Sequence, residues 1–138
     1  MSDDPTGPQE ASGAPAVGIV LVVDDEPLVR RFAARVLEEH GFQIREARDG
    51  FEALALLQAI GPGVVCVVSD VVMPGLDGVK LFEAVSLSYP GLPVILMSAY
   101  GPAELAERGI TSPCAVLSKP FTPGRLIEEV RRCLAERP

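Results

Sequence analysis

The stretch "GIVLVVDDEP", residues 18–27, decides how the rest of the chain is read. Six residues without a charge, five of them Val or Ile or Leu in an unbroken run, suit a strand buried on both faces of a parallel sheet. Three acids follow at once, and then a proline that opens a segment of helical spacing. Strand, acidic turn and helix in that order make one βα unit, and the same grammar recurs along the chain.

Four more short segments resemble the first: "FQIREA" (42–47), "VVCVVS" (64–69), "PVILMS" (93–98) and "AVLS" (115–118). All but "FQIREA" are apolar nearly throughout; "FQIREA" alternates, as an edge strand does. Between them lie helical patterns. In 27–40, Leu28, Val29, Phe32, Ala33, Val36 and Leu37 recur at one-turn intervals, and Gly41 stops the helix as a C-terminal cap. In 49–60, Ala53, Leu54 and Leu57 share a face; in 77–88, Val79, Leu81, Phe82 and Val85 do so less cleanly. In 122–135, Thr122 is the N-cap, Pro123 takes the first helical position, and Leu126, Ile127, Val130 and Leu134 form the stripe. "YGPAELAERGIT" (100–111) is the weakest helix, delayed by Gly101 and Pro102 and ended by Gly109, barely two turns long. The count is (βα)5. That alternation predicts an α/β fold with right-handed crossovers and helices on both faces of an open, doubly wound, five-stranded parallel sheet, since a barrel would need eight units.

The chain has 138 residues, one domain by size, and its 48% hydrophobic and 22% charged residues separate it from disordered chains. The exception is residues 1–17, rich in Pro, Gly, Ser and acid, which read as a flexible tail ahead of a domain spanning 18–136. The net charge of −7 argues against direct contact with nucleic acid, which needs clustered Lys and Arg. No signal peptide opens the chain, and no apolar run approaches the ~20 residues that span a bilayer, so a soluble, cytoplasmic protein without membrane insertion is expected. Cys66, Cys114 and Cys133 form no short-spaced pair and read as reduced packing thiols.

In open α/β sheets ligands bind beyond the carboxyl ends of the strands. Asp24, Asp25 and Glu26 follow the first strand, Asp70 the third, Ser98 ends the fourth and Lys119 follows the fifth. Each alone has a plain explanation. The acids cap a helix; Asp70 and Ser98 serve turns; Lys119 is a solvated surface lysine. Four such coincidences at one rim are less economical than one site. Three carboxylates in one pocket call for a hard cation such as Mg²⁺, which takes oxygen ligands and is often shared with a phosphate. Lys119 and the Ser98 hydroxyl suit phosphoryl oxygens, and Asp70 becomes a candidate nucleophile that forms an aspartyl phosphate.

"VVDDE" (22–26), "SDVVMPGLDG" (69–78), "LMSA" (96–99) and "LSKPF" (117–121), in this order and spacing, resemble the receiver domain of two-component response regulators over roughly 18–136. The resemblance implies a flavodoxin-like strand order 2-1-3-4-5. It makes Asp70 the phosphoacceptor and assigns Mg²⁺ to Asp24, Asp25 and Asp70, with Asp25 and Asp70 as direct ligands and the Val72 backbone carbonyl as a further one. Ser98 takes the place of the switch hydroxyl, Lys119 pairs with the phosphoryl group, the Lys119–Pro120 peptide is cis, and Pro74 and Gly78 shape the loop behind Asp70. Partners implied are a histidine kinase or histidine phosphotransfer protein and a downstream protein target, met through the last helices and strand, where Arg125, Arg131 and Arg132 stand among acids. Such a protein accepts phosphate without being a turnover enzyme.

Two departures stand out. Receivers usually carry Tyr or Phe three residues before the lysine; Val116 stands there, so the usual aromatic switch is missing. Val72 and Tyr100, two residues after Asp70 and Ser98, flank the path of an attacking water and predict a slowly hydrolysed phosphoryl group. An aspartate-nucleophile phosphatase would need an acid at Val72, and a flavin mononucleotide module would need Ser, Thr and Gly where "DDEP" stands. A phosphorylation-independent pseudo-receiver acting as an interaction module remains the alternative. With no output segment after Pro138, a stand-alone receiver or one cut from a longer protein is expected; the initial Met favours the former, while "KPFTPGRLIEEVRRCL" and "MSAYG" resemble receivers of hybrid kinases.

Overall fold

A computed structural model of the chain describes residues 18–110 and 113–136. The predicted tail, 1–17, lies outside the described residues. Five strands, β1 (Ile19–Val23), β2 (Gln43–Ala47), β3 (Val64–Asp70), β4 (Val94–Ser98) and β5 (Ala115–Ser118), alternate with α1 (Pro27–Glu39), α2 (Gly50–Ile60), α3 (Gly78–Ser88), α4 (Pro102–Glu107) and α5 (Pro123–Ala135). All pairings are parallel, in the order β2-β1-β3-β4-β5. This is the open (βα)5 parallel sheet that the alternation predicted, in the flavodoxin-like strand order that the resemblance implied.

Burial explains why the central strands are apolar on every residue short of their carboxyl ends. Val20 and Val22 of β1 face one layer with Val36 and Leu37 of α1 and Leu126, Ile127 and Val130 of α5. Leu21 and Val23, one residue out of phase, face the other layer with Ala53 and Leu57 of α2 and Leu81 and Val85 of α3. Successive side chains of a strand point to opposite faces, so a sheet covered on both sides favours apolar residues at successive positions. β2 lies at the edge and keeps its alternation, with Gln43 and Arg45 exposed.

Caps fix the helix ends. Thr122 Oγ1 accepts from the Arg125 N–H at 3.1 Å with Pro123 at the first turn, as its sequence implied. α1 ends in a Schellman motif: Phe42 N–H donates to the Leu37 carbonyl, Gly41 N–H to the Glu38 carbonyl, and Gly41 takes the left-handed φ of 93°. α4 is six residues, as short as Gly101 and Gly109 predicted.

Two expectations change. In α1, Ala33, Ala34, Val36 and Leu37 are buried, whereas Leu28 is 86% exposed and Phe32 42%. Leu28 and Phe32 share a stripe about 140° round the helix from the centre of the core-facing one, so regular spacing alone could not separate the two faces. The cysteines also differ. Cys66 keeps its thiol in the core, but Cys114 and Cys133 are joined in a disulfide, their Cα atoms 6.0 Å apart despite a separation of 19 residues. The reading of all three as reduced thiols is corrected: packing α5 back along β5 brings together two cysteines that no local spacing connects.

The two faces of α1 predict opposite outcomes for the same chemical change. Leu37→Ala, at a fully buried site, destabilises the domain by about 2–5 kcal/mol in urea unfolding. Leu28→Ala stays within ~0.5 kcal/mol of wild type. A large loss at Leu28 would contradict the packing described.

Candidate functional site

The carboxyl ends of β1, β3, β4 and β5 open on one rim, and parallel pairing aligns them. The register sets Val23 beside Ser69, Asp70 beside Met97 and Ser98 beside Ser118. Residues just past β1 and β5 therefore meet the last residues of β3 and β4.

Asp24 is fully buried although it leads out of a strand. Its backbone N–H donates to the Ala47 carbonyl at 3.1 Å, continuing the sheet pattern, and its Oδ1 accepts from the Glu26 N–H at 2.9 Å. Arg30 Nη1 donates to the Asp24 carbonyl at 2.8 Å, while Arg30 Nε donates to Glu46 Oε1 at 3.0 Å. This arginine ties α1 and β2 to the acidic turn. Nothing in its sequence context distinguished it from a solvated helix residue.

Asp70 ends β3 and is 8% exposed. Its Oδ1 accepts from the Val71 N–H at 2.9 Å and from Lys119 Nζ at 3.0 Å. The loop behind it is pinned by Gly78 N–H donating to the Val71 carbonyl at 2.8 Å. A Cβ on Gly78 would collide with the Asp70 carbonyl oxygen and lie 2.8 Å from Val71 Cα, so only glycine permits this approach. Ser69, buried and donating its hydroxyl to the Asp70 carbonyl at 2.9 Å, is a further site neighbour that the strand pattern concealed.

Lys119 leaves β5 with its N–H donating to the Ser98 carbonyl at 2.8 Å, and the Lys119–Pro120 peptide is cis. Lys119 Nζ also lies 3.9 Å from Asp24 Oδ2, so one ammonium serves two carboxylates. Ser98 is buried, and its Oγ accepts from the Tyr100 N–H at 2.8 Å. The Tyr100 ring carries the Arg108 guanidinium 4.3 Å above it. Val116 is half-buried and packs with Tyr100 against the α2–α3 layer. The Val72 side chain is 59% exposed.

Electrostatics give the arrangement its character. One oxygen from each of Asp24, Asp25 and Asp70 lies within 4.8 Å of the others. Lys119 alone cannot balance three carboxylates. Burial, with Asp70 and Asp25 adding to it, pushes the Asp24 carboxyl from its ordinary 3.8 up to about 6, against the lowering effects of the Glu26 N–H and Lys119. Asp24 Oδ2 is buried and accepts no hydrogen bond among the described residues. An all-oxygen donor set with an orphaned carboxylate oxygen and a deficit of positive charge fits a hard divalent cation such as Mg²⁺.

A parallel β2-β1-β3-β4-β5 sheet with this acid, hydroxyl and lysine rim defines a class, and the chain belongs to it. Residues 20–131 match the response regulator receiver domain family. Among relatives, the chain is 33% identical over 127 residues to the sensor kinase CckA of Brucella abortus, covering 91% of this chain and 13% of that protein. It is 35% identical over 127 residues to the C4-dicarboxylate transport transcriptional regulatory protein DctD of Rhizobium meliloti, covering 91% of this chain and 26% of the relative. The chain thus spans only 13% and 26% of these proteins' lengths. The crystal structure of the receiver domain of NtrX from Brucella abortus superposes with a TM-score of 0.77 at 33% identity, covering 85% of this chain and 98% of that one. The chain is a two-component receiver domain.

The raised Asp24 carboxyl has a stability consequence whose sign is fixed. The folded state holds this proton more tightly than the unfolded chain, so ionising Asp24 subtracts stability. The penalty is absent below the ordinary 3.8, grows as pH rises toward about 6 and is complete above it. In buffer free of divalent cations, Asp24→Asn is expected to be more stable than wild type at neutral pH by about 2 kcal/mol. That gain should vanish near pH ~4. Urea unfolding at the two pH values checks this, and a gain of equal size at both would contradict it.

Proposed function

We propose that this receiver takes a phosphoryl group from a phosphohistidine onto Asp70, with Mg²⁺ in the acidic pocket, and signals through protein–protein contacts. The observation that carries the reading is Lys119 Nζ at 3.0 Å from Asp70 Oδ1 beside two further carboxylates. With Oδ1 held by Lys119 and the Val71 N–H, Oδ2 is the oxygen left to attack. The new bond forms between Asp70 Oδ2 and phosphorus as the phosphorus–nitrogen bond to the donor imidazole breaks. Charge on the transferring oxygens then falls beside the Lys119 ammonium, and the Ser98 hydroxyl can turn from Tyr100 to donate to one of them. Asp24, Asp25, Asp70 and the Val72 carbonyl would hold Mg²⁺, which supplies further positive charge to the phosphoryl oxygens when bound.

The donor is a histidine kinase or histidine phosphotransfer protein, and the relatives that are a sensor kinase and a transcriptional regulator support that setting. Beside Lys119 runs an apolar groove lined by Leu28, Val29, Phe32, Pro120 and Phe121, with the Phe32 and Phe121 rings 6.0 Å apart. Exposed Leu28 and Phe32 are suited to seat a donor helix with its histidine over Asp70. The downstream target is a protein. On α5, Arg125 pairs with Glu129, and Arg132 pairs with Glu129 and with Glu136 just past the helix, so much of the basic charge there is matched by acid, which argues against nucleic acid as a direct partner. The protein assists its own phosphorylation and is not a turnover enzyme. No described helix is long and apolar enough to cross a membrane, and we place the protein in the cytoplasm.

Intact-mass measurement with acetyl phosphate and Mg²⁺ tests the reading. Wild type gains one phosphoryl group and Asp70→Asn gains none. With exposed Val72 and bulky Tyr100 flanking the approach of water, the adduct decays over minutes or longer; decay within seconds would contradict that part. A wild type without an adduct would make the chain a phosphorylation-independent interaction module.

A further inference from the structure

We propose that Cys114 and Cys133 form a reversible redox clasp at the β5–α5 edge, closed by exchange with a small-molecule disulfide. The clasp is a modification site separate from the phosphoryl chemistry. Cys114 stands immediately before β5, at the end of that strand opposite Lys119, and Cys133 lies in the last turns of α5. Their Cα atoms are 6.0 Å apart, a separation that a disulfide spans without backbone movement. Both positions are held independently of the sulfur bond. Cys114 N–H donates to the Val94 carbonyl at 2.9 Å, and Arg132 Nη2 donates to the Cys114 carbonyl at 2.9 Å. The pair is therefore poised to close whenever an oxidant is present, and to stay in register when it is absent.

Access and charge set the order of events. Cys114 is half-buried and Cys133 only 1% exposed, so an incoming disulfide meets Cys114 first. The Cys114 sulfur, as thiolate, attacks one sulfur of the small disulfide; that sulfur–sulfur bond breaks and one small thiol leaves. The Cys133 sulfur then attacks the Cys114 sulfur of the mixed disulfide and expels the second small thiol. Two cysteine thiols are oxidised by two electrons, and one small disulfide is reduced to two thiols. Arg132 Nη2 sits 4.0 Å from Cys133 Sγ and offers a counter-charge at the joint, although the same guanidinium is also engaged by Glu129 and Glu136. Cys66 is buried in β3 and takes no part.

The ring closed by this bond contains all of β5, Lys119 and most of α5. Cross-linking it restricts the unfolded chain and fastens the end of α5 to the start of β5. Its effect falls on the stability of this edge of the sheet, while the rim stands at the other end of β5.

The test compares the wild-type protein equilibrated with oxidised glutathione and with a phosphine reductant. The oxidised form is expected to be lighter by two hydrogens, with peptide mapping joining Cys114 to Cys133, and to melt roughly 10 °C higher than the reduced form. Cys66→Ser responds like wild type. Cys133→Ser stops at a single glutathione adduct on Cys114 and shows no rise in melting temperature. The yield of phosphoryl adduct with acetyl phosphate and Mg²⁺ is equal in the two redox forms. A wild-type mass unchanged by oxidised glutathione, a bond mapped to Cys66, or equal melting temperatures would overturn the clasp. Unequal phosphoryl yields would overturn its separation from the rim. Absence of phosphoryl adduct in both forms, with the mass and melting differences intact, would overturn the proposed phosphoacceptor role and leave the clasp standing.

Discussion

One ammonium group facing three carboxylates is the constraint around which this domain is organised. Lys119 reaches Asp70 at 3.0 Å and Asp24 at 3.9 Å, but it cannot satisfy both, and Asp24 Oδ2 remains buried without a hydrogen bond. A buried carboxylate without a full complement of partners costs stability, and the upward displacement of the Asp24 carboxyl to about 6 expresses that cost. The pocket is thus short of positive charge, a deficit that Lys119 does not fill and that a divalent cation would.

The rest of the fold keeps these charges where they are. Parallel register places four strand ends on one rim, and the apolar layers on either face hold that register, because a slip by one residue would turn every buried side chain to the wrong face. Close to the site the supports are more specific. Arg30 braces the acidic turn against Glu46, and Gly78 lets the loop after Asp70 fold back closer than any side chain would allow. Ser98 links the rim to the β4–α4 turn through the Tyr100 N–H, and Tyr100 packs on the same apolar layer as Val116 and under Arg108. A change at Ser98 therefore has a physical route to α4 that passes through Tyr100, in a protein where Val116 supplies no aromatic ring.

The strands and the rim were legible because each rests on a local pattern. Continuous apolar runs follow from burial on both faces, and Asp24, Asp70, Ser98 and Lys119 are conspicuous as polar residues at the ends of such runs. Thr122–Pro123 and the Gly41 stop were legible for the same reason, being chemistry confined to a few neighbouring residues. What escaped the sequence depends on contacts between distant segments. Arg30 looks like any charged residue on an amphipathic helix until Glu46 and the Asp24 carbonyl are seen around it. Leu28 and Phe32 fit the periodicity of α1 yet face outward, since spacing tells that a stripe exists but not which stripe meets the core. Cys114 and Cys133 pair only because α5 returns along β5, and counting cysteines could not reveal that.

The most direct measurement of the central claim is the melting temperature of the apo protein titrated with Mg²⁺ at constant ionic strength. A pocket short of positive charge predicts a saturable rise of a few degrees once Mg²⁺ exceeds its dissociation constant about tenfold. The rise should be much reduced in Asp25→Asn, which leaves the buried pair and Lys119 untouched. Equal melting temperatures in Mg²⁺ and in monovalent salt of the same ionic strength would contradict the account.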